Sequence, residues 1–574
     1  MIKINIDNIE IEVKENITIL QAAKLAHINI PTLCYHEDLS IKSVCRICVV
    51  EVNGQKLLQP ACSYPVSANM VIKTNTPRVI EARKGVMELI LSHHPMECLS
   101  CSKNNLCELQ SIATDLNMNS PIPYEVETRN KEIDNSSVSI TFDGNKCIIC
   151  GRCAEVCNDI QTVGVLAKEN RGRETVIAPP YGKKLVDTAC INCGQCVQVC
   201  PVGALTINDQ TNVFYNNKKI GKTIVAQIAP SSRTTIAEAL GSEPGVAATG
   251  KMVTAMKMLG FDYVFDSDFS ADLTIMEEGN ELLHRITNNG VLPMITSCCP
   301  GWVKFCETYY SEFTDHLSTA KSPQQMFGAV IKTFFAEKQN IPAKDICSVS
   351  IMPCTAKKFE SIRFEMNDSG HQDVDLSLTV QELAKMIKAA GIDFDKLDET
   401  PFDNPFGLGT GAGEIFAATG GVMEAALRTV YEVLTGTELK EIEFHDVRGY
   451  DWFKDATITI NDIDVKVAVV HSLGEARKLM DKIKKKEIFY HFVEVMACPG
   501  GCIGGGGNPT RTKAKVIERT KSVYAQDEDL PIRKSHESPA IKMIYSEFLG
   551  EPLSYKSHKL LHTKYKNRKD VLRL

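Results

Sequence analysis

The chain opens on strict alternation. Ile2, Ile4 and Ile6, then Ile9, Ile11 and Val13, are apolar at every second position on either side of Asp7-Asn8, which predicts a hairpin with one buried face. A helix from about Thr18 to Ala26 is expected to cover it, and Arg78 to Ser92 reads as a second helix. From about Lys222 strands and helices alternate. Thr223 to Ala229 is a strand stopped by Pro230, and Ser231 or Ser232 is the expected cap of the helix that follows. Three short apolar runs, Leu292 to Ile295, Ile346 to Met352 and Phe489 to Val495, have the length and composition of buried parallel strands. Helices are expected from about Ala271 to Ile286 and from Val422, the second opened by Gly420 and Gly421 after a loop-rich stretch from Asn404 to Gly413.

A length of 574 residues suggests about four domains, and 44% hydrophobic content suffices for packed cores. Lys plus Arg of 64 against Asp plus Glu of 71 gives a net charge of -7, which argues against nucleic acid as the partner. The basic end from Lys556 to Arg573 reads as a solvated face. No apolar run approaches the roughly 18 to 20 residues of a membrane span, and Met1 opens directly into a strand pattern, so a cytoplasmic protein without membrane contact is expected.

The 22 cysteines change the picture most, because they fall in tight C-x2-C groups that point to metal instead of disulfides. Cys34, Cys45, Cys48 and Cys62 form the first set. Its middle pair is arranged like the thiol turn of [2Fe-2S] proteins, and the hairpin-helix setting favours iron over the zinc alternative. His94, Cys98, Cys101 and Cys107 follow. Three cysteines leave a cubane one ligand short, and His94 stands four residues before the first of them. Then come Cys147, Cys150, Cys153, Cys157 and Cys190, Cys193, Cys196, Cys200, both spaced C-x2-C-x2-C-x3-C. In that pattern the fourth cysteine ligates the other cluster, so Cys200 completes the first cubane and Cys157 the second. Pro201 follows Cys200 as the pattern expects, whereas Asn158 follows Cys157. The order reads as a wire of clusters able to reach about -400 mV.

Each of the three apolar runs ends in cysteine: Cys298 and Cys299 after the first, Cys354 after the second, Cys498 and Cys502 after the third. Ligand sites collect at the carboxyl ends of strands in open α/β sheets, and four soft thiolates at one point suit an iron-sulfur cluster. Glu278, Glu281 and Arg285 share one helix face by their spacing. Cys306 and Cys347 match no motif and read as structural. Gly504 to Gly507 lacks the Gly-Lys-Ser/Thr of a phosphate loop, and its glycines are expected to let backbone pass close to the cluster.

The segments TSCCPGW, MPCTAKK and MACPGGC resemble, in order and separation, the three signatures of the [FeFe]-hydrogenase catalytic domain. With the preceding modules, the whole chain resembles the monomeric clostridial type with four accessory clusters. The implied fold is α+β multidomain, with N-terminal ferredoxin-like iron-sulfur modules followed by a large α/β hydrogenase catalytic domain. The implied division is 1-78 plant-type ferredoxin-like, though the first cysteine gap is longer than in that family; 79-125 a [4Fe-4S] module held by one histidine and three cysteines, similar to a peripheral subunit of respiratory complex I; 126-209 bacterial-type two-cluster ferredoxin; and 210-574 catalytic, with a small-subunit-like segment from about 513.

By the same resemblance Cys299, Cys354, Cys498 and Cys502 hold a cube, and Cys502 also bridges to a two-iron unit carrying carbon monoxide, cyanide and a dithiolate. Together these form the H-cluster, alongside one [2Fe-2S] and three accessory [4Fe-4S] clusters. Cys298 is implied as the proton-transfer residue, passing protons along Glu278, Ser318 and Glu281 towards Arg285. Lys357 and Ser231 are expected near the cyanides, with Pro230, Gln324, Met352, Met496 and Phe416 around the iron pair. The implied activity is reversible conversion of protons and electrons to hydrogen by a monomeric ferredoxin hydrogenase. Ferredoxin or flavodoxin would be its electron partner, and maturation proteins would insert the iron pair. A cube-only assembly protein and a sensor or subunit of an NADH-linked complex are the competing readings. Cys298 and the acidic relay favour turnover, since a scaffold needs no proton path.

Overall fold

The computed structural model describes residues 1–118, 129–407, 409–460 and 463–572. The expected boundary at 125/126, position 408 of the loop-rich stretch and Arg573 at the close of the basic end lie outside them. The hairpin forms as read: Ile2–Ile6 pairs antiparallel with Ile9–Val13. Asp7 and Asn8 have φ of 50° and 74°, the left-handed pair that a tight two-residue turn requires. Val71–Lys73, Val49–Val52 and Gln59–Pro60 extend the sheet to five strands. The helix Ile19–Leu25 closes its apolar face, and a reciprocal capping box between Thr18 and Gln21 fixes where that helix begins.

The next three cysteine sets share cores with this module. Helix Pro77–Leu91 carries buried Arg83, which donates to the Val49 carbonyl at 3.0 Å. Leu33 and Ile47 pack with Met87, Leu91, Leu109, Ile112, Val202 and Ala204 in one cluster. Arg152 donates to both oxygens of Glu108 at 2.8 and 2.9 Å and to the Tyr35 carbonyl. One buried guanidinium thereby pins three segments.

The catalytic region holds two four-stranded sheets. The first is wholly parallel, in the order Tyr263–Asp266, Thr223–Ile228, Ile346–Met352, Leu376–Thr379. The second runs Met294–Ile295, Phe492–Met496, Ile463–His471, Phe453–Ile460, and its outer pair is antiparallel. The three cysteine-bearing strands are buried and parallel to their neighbours, but they belong to two sheets, not one. A further difference lies after Thr223–Ile228. Neither Ser231 nor Ser232 caps the next helix, which is the short Pro230–Arg233 with Ala229 before it. Pro230 supplies the helical φ at the first position and needs no partner for an N–H it lacks. The long helix starts at Asp268 instead of Ala271 and runs to Thr287.

The C-terminal segment lies along this region through helices Lys513–Asp529, Pro539–Ile544 and Tyr555–Leu561. Arg519 pairs with Glu238, and Asp527 with fully buried Arg428. Among the described residues no helix is long and apolar enough to cross a membrane.

Candidate active site

Strands of both sheets aim their carboxyl ends at one enclosed cavity. Ala229, Pro230 and Ser231 reach it from Thr223–Ile228; Ser267 from Tyr263–Asp266; Met352 and Cys354 from Ile346–Met352; Met496 and Cys502 from Phe492–Met496; and Cys298 from the segment after Met294–Ile295. Lys357, Gln324 and Phe416 complete the set expected around the iron pair, so all of those residues line one space. Cys354 and Cys502 line its floor, where their thiols meet those of Cys299 and Cys498. Each pair among the four interacts electrostatically, and burial first, then one another's charge, pushes the Cys354 thiol up to about 12. Four buried thiols that resist ionising together suit a polycationic cluster, because coordination removes their protons outright.

Cys298 stands beside this group without belonging to it. Burial, then the charge of Glu278, holds its thiol well above its ordinary value, so it keeps its proton. Glu278 accepts from the Ser318 hydroxyl, and burial raises its carboxyl to about 8. The same hydroxyl lies 3.3 Å from Glu281 Oε2, and Glu281 binds Arg285 Nη2 at 2.6 Å. Arg285 also donates to the carbonyls of Val291, Asp315, His316 and Leu317. Four residues of the expected relay, Glu278, Ser318, Glu281 and Arg285, form one buried chain, and Cys298 lies within electrostatic reach of its Glu278 end.

Several family models match the chain in sequence. Residues 222–506 match the iron only hydrogenase large subunit, C-terminal domain, and 513–568 the iron hydrogenase small subunit. Residues 1–77 match a 2Fe-2S iron-sulfur cluster binding domain, 83–121 the NADH-ubiquinone oxidoreductase-G iron-sulfur binding region, and 146–204 a 4Fe-4S dicluster domain. Iron hydrogenase 1 of Clostridium pasteurianum is 40% identical, over 98% of this chain and 99% of its own. The NADP-reducing hydrogenase subunit HndD of Solidesulfovibrio fructosivorans is 49% identical over 99% of both. The chain belongs to the [FeFe]-hydrogenases. A solved structure of a variant of [FeFe]-hydrogenase HydA1 from Chlamydomonas reinhardtii aligns at TM-score 0.55 and 42% identity, covering 60% of this chain and 94% of that one.

As a hydrogenase, the chain carries accessory iron-sulfur domains whose cysteines meet as their spacing requires. The Cys45 thiol donates a hydrogen bond to Cys34, and that of Cys48 donates to Cys62. Cys107 faces Cys98 and Cys101. His94 is half-buried and bonded to the Lys146 backbone, and its buried Nδ1 has no partner among the described residues. An orphaned imidazole nitrogen four residues before Cys98 suits a ligand. In the two-cluster module Cys200 faces Cys147, Cys150 and Cys153, whereas Cys157 faces Cys190, Cys193 and Cys196.

Cys193 in turn faces Cys354 and Cys498, joining that module to the hydrogenase floor. The sequence order suggests a line, but the contacts make a fork. Arg152 stands between Cys34 and Cys200, and Lys146 and Gly203 adjoin Cys101. Both peripheral sites thus abut the first cubane.

Other partners escaped the sequence. Glu360 holds Lys357 Nζ at 2.9 Å, with the Cys298 carbonyl at 3.0 Å on the other side. The i, i+3 spacing of Lys357 and Glu360 was the available signal. Gln324 donates to Glu360 at 3.0 Å and accepts from Ser350 at 2.7 Å. Asn508 reaches Ser231 Oγ at 3.3 Å. Buried Glu494 accepts from the amides of Gly420 and Met423 at the start of helix Gly421–Thr435. No local pattern marks these last pairs. Cys306 and Cys347 sit wholly buried in apolar clusters, as structural residues do.

Proposed function

We propose that this hydrogenase moves protons between solvent and the cavity through Arg285, Glu281, Ser318, Glu278 and Cys298. Electrons move through one [2Fe-2S] and three accessory [4Fe-4S] sites, for reversible conversion of protons to hydrogen. Cys299, Cys354, Cys498 and Cys502 would hold the cube, and Cys502, which also lines the cavity, would join in holding the two-iron unit. When bound, that unit supplies the redox and Lewis-acid chemistry of hydrogen activation. The chain supplies position, polarity and protons.

The Cys298 thiol gives and takes a proton at the cavity wall, opposite Glu278. A carboxyl near 8 holds a proton at neutral pH yet releases it readily. The Ser318 hydroxyl, which touches both Glu278 and Glu281, rotates its single hydrogen between them. Lys357, clamped by Glu360 and the Cys298 carbonyl, sets a fixed cation at the wall, suited to an anionic ligand such as cyanide. Ser231 offers a hydroxyl on the opposite side. Pro230, Met352, Met496 and Phe416 keep bulk water out, and Gln324 braces Lys357 through Glu360.

The observation that carries this reading is the bonded run Glu278, Ser318, Glu281 and Arg285, with the Cys298 thiol within electrostatic reach of Glu278, beside a four-thiol floor. Protein matured with its insertion proteins is expected to show infrared bands of bound carbon monoxide and cyanide, with about 20 iron atoms against about 18 without them. Hydrogen turnover is expected only in the first preparation. Equal turnover in both would overturn the assignment.

For electrons, the fork of N-terminal sites supports reduced ferredoxin or flavodoxin as the partner of a cytoplasmic monomer. The name of the relative that is 49% identical favours a second reading, in which this chain is the hydrogen-handling subunit of an NADP-reducing assembly. Turnover by the isolated chain with reduced ferredoxin supports the first. Turnover that requires NADPH and a co-purifying chain supports the second.

A further inference from the structure

Glu281 has a further neighbour besides Ser318 and Arg285. Its Oε2 accepts from Thr319 Oγ1 at 2.9 Å, and that oxygen also lies 2.8 Å from Nδ1 of His562, in the C-terminal segment. Across the ring, His562 Nε2 is 2.9 Å from Glu277 Oε2. Glu277 also accepts from the hydroxyls of Tyr545 and Ser557 and from the Leu553 amide. Burial raises its carboxyl, but His562 and these donors outweigh burial and hold it below its ordinary value. An ionised carboxylate accepts only, so Nε2 carries a hydrogen, and whenever the ring is neutral Nδ1 is an acceptor. The Thr319 hydroxyl then has one hydrogen and two acceptors. With Glu281 ionised and His562 neutral, one of its two short contacts contains no hydrogen, and a single added proton fills both.

We propose that His562, oriented by Glu277, is a proton-holding residue for Glu281, so that the C-terminal segment buffers the proton in transit. The proposal rests on the proton path through Glu281. In the step, the Glu281 Oε2–H bond breaks as its proton joins Thr319 Oγ1, whose own hydrogen passes to His562 Nδ1. Two bonds to hydrogen form, two break, and no electrons move. The imidazolium so formed faces the Glu277 carboxylate. The other titratable groups about the ring are Glu281, with Arg285 beyond it, Tyr545 against Glu277, and exposed His558, whose ring stacks on His562 at 4.1 Å between centroids.

The test uses the full chain with His562→Phe, His562→Gln, Thr319→Val and Thr319→Ser. Turnover is followed against pH in matured enzyme, and the carboxyl stretch of Glu281, identified with Glu281→Gln, by infrared difference spectroscopy in protein lacking the iron pair. His562→Phe and Thr319→Val are expected to lower turnover about tenfold and to displace the pH profile by roughly one unit. Both should shift the carboxyl stretch, and Thr319→Ser should restore rate, profile and stretch. If His562→Phe does not fold, the comparison of Thr319→Val with Thr319→Ser decides. An unmoved profile and an unmoved stretch overturn the proposal. Cys298→Ala separates the two readings: if it loses turnover while the His562 and Thr319 variants match wild type, the branch alone is refuted; wild-type turnover in Cys298→Ala refutes the path.

Discussion

Four-thiol groups arise in this chain in two ways. In the two-cluster module, three of the four thiols of each site come from one tight turn. Gly151 and Gly194, with φ of 79° and 69°, swing the chain into the short helices that carry Cys153 and Cys196. Only the fourth thiol is borrowed. On the catalytic floor, Cys299, Cys354 and the pair Cys498 and Cys502 come from the ends of three strands in two sheets. The first kind of site is built by turn stereochemistry, the second by the fold as a whole. That difference leaves the catalytic floor free to hold a fifth thiol close by without using it as a ligand.

The strongest way to break the comparison is to remove that fifth thiol. Cys298→Ala leaves the four-thiol floor intact, so the infrared bands of carbon monoxide and cyanide should persist while turnover falls by at least about 100-fold. Rates like wild type would mean that the local and the assembled sites differ in nothing but their construction.

The borrowed ligands sharpen it. Cys200→Ser is expected to alter the paramagnetic resonance of the cubane on Cys147, Cys150 and Cys153, and Cys157→Ser that of the cubane on Cys190, Cys193 and Cys196. Each should slow electron flow from external donors without touching the infrared bands. The opposite pairing of variant and signal would refute the crossover.

A smaller effect separates the sites by pH. Hydrogen evolution should decline above about pH 8 as Glu278 ionises, and Glu278→Gln should give a low rate without that limb. The linked stability has a definite sign. A carboxyl raised from about 4.3 unfolded to about 8 folded favours the native state only while protonated, so its contribution falls as pH rises through that window. Denaturation midpoints of Glu278→Gln relative to wild type should therefore improve from pH 5 to 8. A constant difference would show that Glu278 is not buried as described.

What the sequence disclosed follows the same division. The hairpin was legible because Ile2 to Val13 alternates around two turn residues, and the accessory sites because their ligands are close in sequence. The catalytic floor was legible only through three signatures acting together, since nothing local says that Met294–Ile295 and Ile346–Met352 lie in different sheets. The expected cap at Ser231 or Ser232 failed because Pro230 starts the helix by its own φ. The fork was hidden because Arg152 and Lys146 reach across modules, and His562 because its partners Glu277 and Thr319 are more than 240 residues away.

The finest test concerns two glycines, one from each kind of construction. A Cβ on Gly506 would lie 2.5 Å from the Cys193 carbonyl oxygen and 2.7 Å from Gly194 Cα, both backbone atoms of the turn that holds the second cubane. Gly506→Ala must push the catalytic loop off the ferredoxin-like module, at a cost of about 1–3 kcal/mol. Gly85, inside helix Pro77–Leu91, has open space where a Cβ would go. Gly85→Ala should stabilise by about 0.5–1 kcal/mol, because alanine loses less chain entropy on folding. Denaturant midpoints, read from the visible absorbance of the clusters, should move in opposite directions for the two variants. A downward shift for both would mean that the second helix is as tightly hemmed as the glycine loop, and that close backbone approach does not distinguish the assembled site from the local ones.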